Sequence, residues 1–79
     1  MDDILPAIRE VLAQHGRIAV ANVQDDDDLY AAGLTSLATV GIMLALEDRF
    51  NVEFPERMLG RATFRSISAI AEAVSDLAA

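Results

Sequence analysis

The sequence predicts an all-α domain, a four-helix bundle with three longer helices, one short one and a long loop between the first two. Three observations carry this expectation. Apolar residues recur at helical spacing in three separate segments, no second strand-like run exists to pair with the one near Ile18, and a 79-residue chain without cysteine must hold together by packing alone. A chain of this length buries roughly 60% of the surface it exposes when unfolded, so residues 1–79 are expected to form one domain with a modest core.

Asp2 to His15 reads as the first helix. Ile4, Ile8 and Val11 form one stripe, with Leu5 and Leu12 beside it. Asp3 is placed to cap the helix and Pro6 falls in the first turn, where its missing N–H costs little. Gly16 is a natural stop, with His15 beside the negative end of the helix dipole. Arg17 to Thr35 shows no helical period and reads as a loop pinned by Ile18, Val20, Val23, Leu29, Tyr30 and Leu34. Ser36 to Phe50 is the second helix, ending near Asn51. At about 100° per residue, Thr39, Ile42, Met43, Leu46 and Phe50 share one side, while Leu37, Val40 and Leu44 lie nearly opposite. A short helix is expected between Pro55, suited to a first helical position, and Gly60 near its end. The last helix runs from about Ser66 to Leu77, with Ile67, Ile70, Val74 and Leu77 at spacings of three, four and three.

Thirteen acidic residues against six basic ones, all arginine, give a net charge of −7. That surface repels phosphate backbones and favours basic protein partners over nucleic acid. No apolar run approaches the roughly 20 residues of a membrane span, and Met1-Asp2-Asp3 lacks the basic flank of a signal peptide. A monomeric, cytoplasmic protein is therefore expected, with no membrane partner.

Ser36 stands where the loop gives way to a helix, so its hydroxyl is expected to be exposed at the positive end of a helix dipole. Such a position suits a covalently attached phosphate. Capping of the helix by Ser36 or Thr35 is the simpler alternative. The second apolar stripe shifts the balance, because Leu37, Val40 and Leu44 begin beside Ser36 and run down the side the core does not use. Glu47 and Asp48 flank it, so the surface combines an apolar centre with acidic edges. The competing possibility is that Leu37 and Val40 pack under the long loop.

Gly33-Leu-Thr-Ser36-Leu37, the helix ending Leu46-Glu-Asp-Arg-Phe50, then Phe54-Pro55, and Thr63-Phe64 opening the last helix resemble the acyl carrier protein family, which includes peptidyl and aminoacyl carriers. The resemblance is strongest from about Asp25 to Leu77. It implies that Ser36 accepts 4′-phosphopantetheine from coenzyme A through a phosphopantetheinyl transferase, and that the thiol of the arm carries a substrate as a thioester. It also implies docking of partners around Thr35, Leu37, Val40, Leu44, Glu47 and Asp48, with no catalytic residue and no metal site in the chain itself.

Within that family, fatty-acid carriers usually have an aspartate before the attachment serine and a strongly acidic exposed helix. Here Thr35 precedes Ser36, and Ala38 and Gly41 occupy positions often acidic there. Thr35-Ser-Leu-Ala-Thr-Val40, Met43-Leu-Ala-Leu-Glu47, Glu53-Phe-Pro55 and Met58-Leu59 look more like small stand-alone aminoacyl carriers. Such carriers are charged by amino acid:carrier-protein ligases resembling class II aminoacyl-tRNA synthetases. A fatty-acid or polyketide carrier is the alternative within the family, and an unmodified acidic adaptor using the same stripe is the alternative outside it. A hydrolase built on Ser36 and His15 ranks below both.

Asp25 to Asp28 lacks the glycine and glutamate positions of an EF-hand and reads as a solvated loop that could face a partner. Arg57 and Arg61 follow the start of the short helix and are expected to face water, with guidance of a partner as the alternative.

Overall fold

The computed structural model describes residues 4–78. Among these there are four α-helices and no strand: α1 (Ile4–His15), α2 (Ser36–Phe50), α3 (Arg61–Phe64) and α4 (Ile67–Ala78). Single 3₁₀ turns at Val20–Asn22 and Glu56–Met58 interrupt the connections. The expected cap Asp3 lies outside the described residues. None of these helices is long and apolar enough to cross a membrane.

The core forms where α1 packs against both α2 and α4, with α3 closing one end of α4. From α1 come Ile8, Val11 and Leu12; from α4 come Ile67, Ile70 and Val74, all buried as their spacing predicts. α2 contributes Ile42 and Leu46. Burying a side chain of this size is worth about 1.5–3 kcal/mol, so these two residues anchor α2 to the core. Thr39, Met43 and Phe50, expected on the same side, are half-buried at its margins.

α1 stops at Gly16, though not by the left-handed turn that glycine usually supplies. The Gly16 N–H donates to the Leu12 carbonyl at 2.7 Å. A Cβ at this position would meet the same Leu12 oxygen at 2.7 Å. Close approach therefore demands glycine here, and the left-handed residue is the next one, Arg17, at φ 57°. Gly33, at φ 115°, is the glycine required by backbone conformation.

The long loop is held down as anticipated, with Val23, Leu29 and Leu34 buried. Two backbone bonds fasten it to the approach to α4: Leu29 N–H to the Arg65 carbonyl at 2.7 Å and Ser68 N–H to the Asp25 carbonyl at 2.9 Å. The aspartate run is solvated as its composition suggests, with Asp26, Asp27 and Asp28 exposed, and it also makes specific contacts. Asp25 pairs with Arg9 at 2.7 Å. The Asp27 carboxylate accepts the Gln24 N–H at 2.9 Å, and that of Asp28 accepts the Tyr30 N–H at 2.9 Å. Short acidic side chains are used here as local turn formers, a role that composition does not reveal.

The short helix also lies later than its sequence signals suggest. Pro55 precedes a 3₁₀ turn, Glu56–Met58, and Gly60 stands in extended conformation just before α3. Thr63 and Phe64 accordingly close α3 and do not open α4. Phe64 is buried, its ring centroid 5.5 Å from that of Phe54, and this contact rather than local propensity holds the four-residue helix. α4 begins as expected: the Ser66 hydroxyl accepts the Ala69 N–H at 3.0 Å, a side-chain cap on its first turn.

Candidate functional site

The site begins with how α2 starts. Thr35 is the N-cap, in extended conformation, and its Oγ1 accepts the Ala38 N–H at 3.0 Å. The capping role thus falls to Thr35, which frees Ser36 from it. Ser36 is the first residue of the helix, exposed, and among the described residues its hydroxyl has no hydrogen-bond partner. A serine at this place offers its oxygen to solvent beside N–H groups that the helix itself cannot satisfy.

Two surfaces meet at Ser36. Down the outer side of α2, Leu37 is 85% exposed, Val40 52% and Leu44 56%. The loop does not cover them, so the alternative of Leu37 and Val40 packing beneath it is excluded. Leu59 is also 48% exposed and belongs with these large apolar side chains, although it sits beyond α2 in the sequence. Periodicity on one helix could not have found it. On the other side of Ser36 a cleft of about 220 Å³ opens, lined mostly by carbon, with Tyr30, Val40, Met43, Leu59, Arg61 and Phe64 among its walls.

The acidic edges divide. Asp48 is exposed. Glu47 is half-buried and its carboxylate accepts the Phe54 N–H at 2.8 Å, so it ties the turn after α2 to the helix. Arg61 is exposed as expected, and its guanidinium carbon also lies 4.2 Å from the centroid of the Tyr30 ring. Arg57 is exposed. His15 lines a separate depression with Arg17, Thr35 and Leu37, and among the described residues no hydrogen bond joins it to Ser36. The Ser36 hydroxyl therefore has no general base in place, which removes the geometric support for a hydrolase.

The sequence profile described as "Phosphopantetheine attachment site" matches residues 4–74. The chain belongs to the phosphopantetheine-attachment family. Its relatives in this family are small carriers. An aminoacyl carrier protein of Agrobacterium fabrum is 48% identical over 69 residues, covering 85% of this chain and 83% of the relative. A D-alanyl carrier protein of Streptococcus gordonii is 34% identical, covering 86% and 90%. The fold matches a carrier protein from Agrobacterium tumefaciens, solved in complex with an engineered Bradyrhizobium japonicum glycine:[carrier protein] ligase and ATP. The TM-score is 0.87 at 44% identity, over 91% of this chain and 96% of that one.

The residues present fit a phosphopantetheine-attachment site. The attachment oxygen needs to be reachable and unengaged, and Ser36 is both. An anion next to it meets the positive end of α2.

Proposed function

We propose that this chain is a carrier that bears 4′-phosphopantetheine on Ser36 and presents an amino acid to partner enzymes, without catalysing a reaction itself. The observation that carries this reading is the exposed, unpartnered Ser36 hydroxyl at the first position of a helix whose outer face is apolar and uncovered. When bound, the arm supplies a thiol that holds the amino acid as a thioester. The chain's own residues do the rest. Thr35 caps α2 and fixes where its first turn points. Leu37, Val40, Leu44 and Leu59 offer apolar area for a partner, with Asp48 as an acidic edge. Glu47 and Phe54 keep the end of α2 rigid, so the docking face holds its shape.

Aminoacyl cargo is favoured over fatty acyl cargo by the company the chain keeps: an aminoacyl carrier, D-alanyl carriers, and a carrier solved with a glycine ligase. The partners proposed are a phosphopantetheinyl transferase and an amino acid:carrier-protein ligase. A tethered cargo raises the local concentration seen by each enzyme that docks the carrier.

Incubation with coenzyme A and a broad-specificity transferase, followed by intact mass spectrometry, tests the attachment. The wild type should gain one phosphopantetheine mass and Ser36→Ala none. Gain in neither refutes the carrier reading and leaves an unmodified adaptor, and equal gain in both refutes Ser36 as the attachment residue. Loading assays with amino acids against fatty and polyketide acids then decide the cargo class.

A further inference from the structure

Arg61 is the one described residue of the Ser36 cleft that carries a positive charge. Arg9 and Arg49 are each tied to a carboxylate, at 2.7 Å and 3.0 Å. Among the described residues no carboxylate pairs with Arg61, which is instead supported by the Tyr30 ring. Stacking restrains a guanidinium while leaving its N–H donors uncommitted.

Tyr30 is itself held. Its N–H donates to the Asp28 carboxylate at 2.9 Å, and its hydroxyl oxygen lies 3.4 Å from Thr39 Oγ1. That Thr39 hydroxyl donates to the Thr35 carbonyl at 2.8 Å. A continuous set of contacts therefore leads from Arg61 to the residue immediately before Ser36. In a chain of net charge −7, a restrained cation without a counter-ion, sharing a cleft with the residue read as the attachment point, is placed to receive an anion.

We propose that Arg61, steadied on Tyr30, is a positioning residue for the phosphodiester anion attached at Ser36. It draws the root of the arm toward the cleft side of α2, away from Leu37. The contact is charge-assisted, and the donor fork of arginine suits two oxygens of one phosphodiester. The inference rests on the carrier reading of Ser36. It also assigns a use to Tyr30 and Arg61 that no apolar pattern contains. Arg17, which lines a separate depression with His15 and Thr35, is the competing anchor.

The test uses the full chain converted with coenzyme A and transferase, with intact mass confirming the modification. The ³¹P resonance of the phosphodiester and the arginine Nε–H resonances are then recorded at low and high salt. The Arg61 Nε–H signal should move on modification while that of Arg57 stays in place. The ³¹P resonance of modified Arg61→Gln should be displaced from that of the wild type, and high salt should shrink the difference. Tyr30→Leu should reproduce part of the displacement, and Arg61→Gln, altered at an exposed position, should keep the wild-type circular dichroism. An unchanged ³¹P resonance in Arg61→Gln, or a displacement produced by Arg17→Gln instead, overturns the proposal. Failure to gain mass overturns the carrier reading and this inference together; mass gain with a silent Arg61 overturns the inference alone.

Discussion

The two sides of α2 carry side chains of nearly the same chemistry and meet opposite fates. Ile42 and Leu46 are buried to 1% and 0% exposure, while Val40 and Leu44, two residues before each, remain more than half exposed. Hydrophobicity does not distinguish them. What does is the presence of α1 on one side, where Ile8 and Leu12 supply matching apolar surface, and of nothing among the described residues on the other. A core side stabilises the molecule; an uncovered apolar side, placed next to Ser36, is the docking face proposed above.

That contrast is broken most sharply by cutting into the core side. Leu46→Ala should cost about 2–5 kcal/mol, a large share of the stability of so small a domain. Chemical denaturation should show a much lower midpoint with the modification of Ser36 impaired only as far as the fold is lost. A midpoint close to that of the wild type would mean that α2 is not anchored through this side.

The mirror experiment changes the outer side. Leu44→Asp should leave circular dichroism and the denaturation midpoint nearly unchanged and should lower kcat/KM for ligase loading on the order of tenfold, equivalent to about 1.4 kcal/mol of binding. Loss of fold instead would return Leu44 to the core. The smallest effect is expected between the two sides, at the cap. Thr35→Ala removes the Oγ1 bond to Ala38 N–H and should cost about 1 kcal/mol. Hydrogen exchange should localise that loss to the first turn of α2, and uniform loss across the bundle would argue that the cap does more than start the helix.

Much of this was legible in the order of residues. The three longer helices fall within a few residues of the bounds their periodicity predicts, and α2 falls on them at both ends, because helical spacing and capping are local. Ser36 stood out because a loop-to-helix boundary and an apolar stripe begin together there. The short helix was displaced because Pro55 and Gly60 mark turns of several kinds, while the contact that stabilises α3 joins its last residue, Phe64, to Phe54, ten residues earlier in the chain. The aspartate run is exposed as its composition suggests, but the backbone N–H bonds that its carboxylates accept leave no trace in composition.

By itself, then, the sequence determined an all-helical carrier-like chain with Ser36 at the start of its second helix, since those features depend on neighbours within one or two turns. Only the tertiary structure decided that the long loop leaves Leu37 and Val40 uncovered, that Leu59 is exposed as they are, that Glu47 braces Phe54, and that Arg61 rests on Tyr30 in the cleft beside Ser36. Each of those depends on residues distant in the chain meeting in space, and no local spacing encodes such a meeting.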